Sequence, residues 1–242
     1  MPQLFAGTSG WAYPTWKPEF YPEKLAQKKF LSHYATKLNA VEVNFTFRQL
    51  VKETTIQNWM EQTPASFRFG IKAHQVITHI KRLKGTEDFV PRFLATIEPL
   101  AAAGKLGPVL FQLPPNLKAD AGLLKDFLGI LPRTVPAAFE FRHASWFTDT
   151  TWDLLKAQNL AVCVAETETM TTPDVTTASF AYYRFRKPSY TGDERQSMID
   201  RISLHLAAGR NVFAYFKHEE TPEGAIYAVE LLREVSGRQV ET

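Results

Sequence analysis

The chain has 242 residues, of which 45% are hydrophobic and 22% charged, so its composition excludes an intrinsically disordered protein. The formal net charge of +3 is too small to indicate nucleic-acid binding by charge alone. The one cysteine excludes an internal disulfide framework, and no stretch reaches the roughly 18 apolar residues of a membrane helix.

Short apolar runs alternate with longer amphipathic segments along the chain. In the first half, periodicity predicts strand 4–7, helix 23–38, strand 40–47, helix 52–62, strand 67–73, helix 87–103, strand 108–113 and helix 121–130. In the second half, it predicts strand 137–142, helix 151–158, strand 161–165, strand 179–186, helix 194–208, strand 212–216 and helix 222–235. The segment between the sixth and seventh strands is irregular and rich in threonine.

This alternation implies parallel strands joined by helical crossovers. We predict the α/β class and a (βα)8 TIM-type barrel, with one domain over residues 1–242. An open doubly wound sheet is the rival, but it usually has fewer strands and often a glycine-rich phosphate turn. The motif Gly7-Thr8-Ser9-Gly10 does not have that G-x-G-x-x-G spacing.

Polar residues recur inside the predicted strands. Because successive side chains of a strand point to opposite faces, one set takes the inward parity. Its members are Glu42, Asn44, Lys72, His74, Gln112, Glu140, Arg142, Arg184 and Arg186. They lie toward the carboxyl ends of their strands, where barrel enzymes keep their active sites. The alternative is a structural ion-pair layer in the core, because buried charges are costly unless they are paired or functional.

The motifs along the chain resemble a known family. They are Gly7-Thr8-Ser9-Gly10-Trp11-x-Tyr13-x-x-Trp16, Glu42-x-Asn44-x-Thr46-Phe47, Phe67-x-Phe69-x-x-Lys72, Gln112-Leu113-Pro114 and Glu140-Phe141-Arg142-His143-x-Ser145-Trp146. Together they resemble domain-of-unknown-function family 72, the YecE-like proteins. The resemblance implies a TIM-barrel-like fold and supplies no activity.

The chain also departs from the family pattern near the ends of three strands. Glu166 stands where the family usually has Asp. Arg186-Lys187 replaces the end of an Arg-x-His-Gly motif, and Lys217-His218 replaces an Asn-Asn pair. The last two changes add positive charge, so a substrate of other members need not be the substrate of this chain.

The first hypothesis is an enzyme acting on an anionic small molecule or phosphate ester, because arginine forks match phosphate and carboxylate oxygens. Glu140 or Glu42 is the candidate base and His74 or His143 the candidate acid, while Lys72 is a candidate for a Schiff base if burial lowers its pKa. Candidate binding residues are Ser9, Trp11, Tyr13, Asn44, Gln112, Arg142, Trp146, Arg184, Arg186, Lys217 and His218.

Two alternatives remain. One is a metal-dependent hydrolase acting on nucleic acid, with ligand-type residues His74, Glu140, His143, Glu166 and His218. No H-E-x-x-H or H-x-H spacing supports it, and the neighbouring cations would repel a metal, so no metal ligand is assigned. The other is a non-catalytic binding module for single-stranded nucleic acid or carbohydrate, because aromatic rings such as Trp11 and Tyr13 stack on bases and sugars.

The cellular setting follows from the first residues. They lack the basic and apolar regions of a signal peptide, so we expect a cytoplasmic protein without a membrane partner. The motifs identify neither a cofactor nor an oligomeric state.

Overall fold

The computed structural model describes residues 1–166, 170–217 and 220–240. Eight parallel strands form one nearly closed barrel: β1 (Leu4–Thr8), β2 (Ala40–Val43), β3 (Arg68–Lys72), β4 (Leu106–Gln112), β5 (Ala137–Glu140), β6 (Ala161–Glu166), β7 (Phe180–Phe185) and β8 (Asn211–Phe216). Their order is β1-β8-β7-β6-β5-β4-β3-β2. The predicted (βα)8 barrel is therefore confirmed, and the open doubly wound sheet is excluded.

The α-helices of the described residues alternate with these strands. They are α1 (Phe30–Tyr34), α2 (Glu53–Glu61), α3 (Phe89–Ala102), α4 (Ala121–Ile130), α5 (Asp149–Lys156), α6 (Gly192–Ala207) and α7 (Glu223–Val240). Between β6 and β7, the described residues 170–179 form no helix, as the sequence predicted. None of the described helices is long and apolar enough to cross a membrane.

Two predicted elements are much shorter than expected. Helix 23–38 is reduced to a 3-10 turn and α1, because Ala26 has extended backbone that interrupts the helical run. Strand 40–47 ends at Val43, and a 3-10 turn over Phe45–Phe47 follows. The hydroxyl of Thr46 holds that turn by donating to the Lys72 carbonyl at 2.7 Å.

The barrel has an apolar layer on each side of the strands. Outward side chains pack against the helices. The ring of Phe111, for example, lies 5.3 Å from the ring of Phe127 on α4. Inside, large rings such as Tyr182 and Phe213 are accommodated by small residues such as Ala138. The interior is therefore a packed core that supports the side chains at the carboxyl ends of the strands.

Side chains close the barrel between β1 and β2. Asn39 Nδ2 donates to the Leu4 carbonyl at 2.8 Å, and Asn39 Oδ1 accepts from Ala6 N at 2.9 Å. The hydroxyl of Tyr34 accepts from Thr8 N at 2.8 Å and donates to the Ala40 carbonyl at 2.9 Å. These bonds replace the backbone ladder, which between these two strands is limited to one bridge after Thr8.

Candidate functional site

A buried arginine lies at the centre of the barrel end where the strands terminate, here called the barrel mouth. Arg184 on β7 is 1% exposed. Its Nη2 lies 2.8 Å from Glu42 Oε1, and its Nη1 pairs with Glu140 Oε2. Burial opposes the charge, but the two carboxylates more than offset it and hold the pKa of Arg184 above its ordinary value. Three distant strands are thus joined by one buried ion triad.

Glu140 is surrounded by donors. Its Oε1 accepts from Gln112 Nε2 at 2.9 Å, from Arg186 Nη1 at 3.2 Å and lies 3.3 Å from Arg142 Nε. Burial alone would raise the pKa of Glu140, but Arg184, Arg186 and Arg142 dominate and lower it to about 2. A carboxylate of this kind stays ionised and is a weak base, which favours a positioning role over the predicted role in proton transfer.

Glu42 is held from its other side by two hydroxyls. Ser9 Oγ donates to its Oε1 at 2.8 Å, and Tyr182 Oη donates to its Oε2 at 2.7 Å. The Ser9 hydroxyl is therefore engaged by Glu42. Tyr182 was not among the residues predicted from the sequence, although it precedes Arg184 by two residues and so shares its inward parity.

Lys72 differs from the other cations at the mouth. Its Nζ lies 4.2 Å from the centre of the Phe47 ring and, among the described residues, forms no ion pair with a carboxylate. Burial, reinforced by the charge of Arg184, lowers the pKa of Lys72 to about 8, against the pull of Glu42 and Glu140. A neutral amine is thus accessible close to neutral pH.

The outer part of the mouth is positive. Arg142 and Arg186 expose 29% and 14% of their side chains, whereas Glu140 exposes 1%. The six residues Glu42, Lys72, Glu140, Arg142, Arg184 and Arg186, here called the charged cluster, contain two carboxylates and four cations. An excess of exposed cationic donors around saturated carboxylates is the arrangement that binds anions.

The structure does not bring the two predicted acids into the charged cluster. Because β3 ends at Lys72, the alternation stops before His74, whose Nδ1 accepts from Val76 N at 3.2 Å. Burial lowers the pKa of His74. The Nδ1 of His143 lies 2.8 Å from Ser145 Oγ, so this ring is engaged within its own loop.

Trp146 packs inside the protein, and this corrects its predicted contact with substrate. The residue is 0% exposed, its Nε1 donates to the Leu117 carbonyl at 2.8 Å, and its ring stacks on Phe141 at 4.9 Å. Lys217 is half-buried after β8, where its backbone N–H donates to the Phe185 carbonyl. His218 lies outside the described residues.

Glu166 belongs to a second polar network, on the outer face of the barrel. Its Oε1 lies 2.6 Å from Nη2 of Arg201 on α6. Nearby, Tyr183 Oη donates to Asp174 Oδ2 at 2.8 Å and lies 2.7 Å from His205 Nε2. Within the described chain, no group of three His, Cys, Asp or Glu side chains is close enough to hold a metal ion.

An aromatic cleft of about 330 Å³ lies beside the mouth, lined by Trp11, Tyr13, Asn44, Phe45, Thr55 and Trp59, among others. The rings of Trp11 and Trp59 meet edge to face at 5.6 Å. Asn44 Oδ1 is buried and has no hydrogen-bond partner in the part of the chain that the structure describes. Trp59 on α2 is 7% exposed, so it belongs to the hydrophobic core as well as to the lining of the cleft.

Gly10 allows the loop of this cleft to fold. It has a φ of +95°, and an added Cβ would lie 2.4 Å from the Tyr13 hydroxyl oxygen. That hydroxyl donates to the Ser9 carbonyl at 2.8 Å, which fixes the Tyr13 ring beside the cleft. The glycine of the Gly-Thr-Ser-Gly motif therefore has a backbone role.

Fold and charged cluster together define a (βα)8-barrel protein with a positive mouth. The chain belongs to the DUF72 family of proteins of unknown function, whose family model matches residues 5–242. The resemblance found in the motifs is thereby confirmed.

Curated relatives carry no activity in their names. UPF0759 protein YunF of Bacillus subtilis is 28% identical over 165 residues, which cover 64% of this chain and 57% of that protein. UPF0759 protein YecE of Escherichia coli K12 is 32% identical over 145 residues, 60% of this chain and 50% of that protein. The matched region thus spans about half the length of these relatives.

Solved structures of two DUF72 family proteins share the fold. TM1631 of Thermotoga maritima superimposes with a TM-score of 0.84 at 24% identity, covering 97% of this chain and 99% of that one. EF0366 of Enterococcus faecalis gives a TM-score of 0.75 at 15% identity, with 98% of both chains covered. At these identities the comparison concerns the fold alone.

Proposed function

We propose that this protein is a cytoplasmic enzyme that binds an anionic small molecule or phosphate ester at the barrel mouth and acts on it by acid–base chemistry through Lys72. The observation that carries the proposal is the excess of cations in the charged cluster. Its two carboxylates are already saturated by hydrogen bonds and by Arg184, while Arg142 and Arg186 keep exposed donors.

The second support is the contrast between Lys72 and a structural lysine. Lys105 is buried, and its Nζ donates to the carbonyls of Met60 and Thr63 and to the Thr63 hydroxyl. Lys72 has no such set of acceptors among the described residues and lies over the Phe47 ring instead. A lysine kept from full solvation without structural partners is suited to act as a base or nucleophile.

Each member of the cluster then has a role. Arg142 and Arg186 bind the anion, and Glu140 positions both guanidinium groups. Glu42 and Arg184 form the buried ion pair beneath the exposed residues of the mouth. With a pKa of about 8, Lys72 is neutral in roughly a tenth of the molecules at pH 7, so it can take a proton from the bound molecule.

Calorimetric titration with inorganic phosphate at neutral pH tests the proposal. Wild-type protein should bind it, and Arg186→Gln should lower the affinity about ten-fold or more, because a hydrogen bond to a charged group contributes about 1.5–3 kcal/mol. The matched control is Arg68→Gln at the amino-terminal end of β3, where the guanidinium lies over Phe5 at 5.4 Å. Absence of binding, or equal losses in both variants, would contradict the proposal.

A further inference from the structure

The aromatic cleft has the size and lining of a small-molecule site. Its volume of about 330 Å³ lies at the lower end of the range of ligand pockets. Trp11 is half-buried, and Phe45 is 49% exposed. Among the lining side chains, Asn44 and Thr55 are the polar groups that are not aromatic. The cleft therefore offers ring faces and few hydrogen-bonding partners.

The cleft adjoins the charged cluster through two short stretches of chain. Gly10 follows Ser9, whose hydroxyl bonds to Glu42, and Gly10 N itself donates to the Glu42 carbonyl at 2.9 Å. Asn44 comes two residues after Glu42, so their Cα atoms are at most about 7 Å apart. The cleft therefore borders the charged cluster on the side of Glu42.

We propose that the aromatic cleft is the ring-binding part of the anion site, and that the ligand is a phosphorylated planar heterocycle of the nucleotide kind. This inference rests on the proposed function for its phosphate. The phosphate lies at Arg142 and Arg186, and the ring enters the cleft beside Trp11.

The lining selects a heterocycle over a sugar. A sugar ring carries several hydroxyl groups, and in a cleft with two non-aromatic polar side chains most of them would be buried without partners. A flat heterocycle stacks on an aromatic face at little polar cost.

Binding measurements with three probes separate the two halves of the site: adenosine 5′-monophosphate, adenosine and inorganic phosphate. We expect the monophosphate to bind at least ten-fold more tightly than phosphate and to quench tryptophan fluorescence. The quenching reports on Trp11 and Trp59, which line the cleft, because Trp16, Trp146 and Trp152 are buried and lie outside its lining.

A matched pair of variants tests the stacking. Trp11→Phe retains an aromatic face and should keep most of the affinity for the monophosphate. Trp11→Leu retains bulk without that face and should lower this affinity about ten-fold while leaving phosphate binding unchanged.

The outcomes distinguish failure of the ring site from failure of the anion site. Phosphate binding with no gain for the monophosphate, or with glucose 6-phosphate bound as tightly, overturns the ring site and leaves the proposed function in place. Binding of adenosine without any phosphate binding overturns the anion site, and with it the proposed function and the phosphorylated ligand, because the cleft then binds an uncharged ring. Tighter binding of a single-stranded oligoadenylate than of the monophosphate overturns the free nucleotide in favour of a polynucleotide.

Discussion

Lys72 and Lys105 show how burial lowers a lysine pKa with two different results. The Lys105 ammonium donates hydrogen bonds to three oxygen acceptors at the end of α2, so it is a structural cap of that helix. Lys72 is held among arginines, and burial with the charge of Arg184 lowers its pKa to about 8. At the scale of single residues, the lack of oxygen acceptors around Lys72 in the described part of the chain is the reason that we propose it as the reactive group.

Chemical labelling tests the pKa of Lys72. Acetic anhydride reacts with neutral amines, so acetylation of Lys72, mapped by mass spectrometry across a pH series, should rise with a midpoint near 8. Acetylation of the exposed Lys28 is mapped in the same samples as the reference. Coincident curves for the two residues would contradict this assignment.

Glu140 should contribute strongly to stability. Glu140→Gln leaves Arg184 with one carboxylate partner, and loss of one partner from a buried ion pair costs about 3–5 kcal/mol. Urea unfolding at neutral pH measures the loss, and Glu98→Gln on the exposed face of α3 should change the free energy of unfolding by less than about 0.5 kcal/mol. A loss as small as that of the control would mean that Arg184 does not depend on Glu140.

The acid dependence of stability follows from the same carboxylate. The pKa of Glu140 falls from 4.5 to about 2 on folding, so the unfolded chain binds more protons between these values. Its stabilisation is complete above about pH 4.5 and is lost as the pH falls through about 2. Between pH 4.5 and 2 the free energy of unfolding should therefore fall more for wild-type protein than for Glu140→Gln. Parallel curves of unfolding free energy against pH for the two proteins would contradict the lowered pKa.

At the scale of elements, the junction of β1 and β2 depends on side chains. Tyr34→Phe removes the hydroxyl that joins Thr8 N to the Ala40 carbonyl and leaves both groups buried without that partner. We expect a loss of about 2–4 kcal/mol in urea unfolding. Tyr190→Phe removes one bond, from Lys187 N at 3.0 Å, and should cost about 1 kcal/mol. Equal losses would show that the junction does not need Tyr34.

Strand alternation predicted the inward charges because the period of a strand is two residues. Glu42, Glu140 and Arg184 lie within regular strands, and their side chains meet as the parity requires. The same reasoning could not place His74 beyond the end of β3, where the chain enters a π-helical turn. Nor could it place Trp146, because the stacking of its ring on Phe141 is a tertiary contact that local periodicity does not encode.

At the scale of the whole molecule, the rhythm of strands and helices was sufficient to predict the barrel, because parallel strands need helical crossovers. The short α1 was not predictable from amphipathicity, since the extended backbone at Ala26 delays the start of the helical run. The relation of Lys72 to Phe47 also needed coordinates, because the turn after β2 sets it. Composition gave a net charge of only +3, while the fold concentrates four cations at one end of the barrel.

The most direct test of anion binding at the barrel mouth is the structure of a crystal grown with tungstate. Tungstate is a heavy phosphate analogue that can be located by its anomalous scattering. The account predicts a tungstate at the barrel mouth, with oxygens within hydrogen-bond distance of the Arg142 and Arg186 guanidinium groups and close to Lys72 Nζ. Tungstate bound only at other surfaces, with the mouth unoccupied at a concentration that saturates wild-type protein in solution, would contradict it.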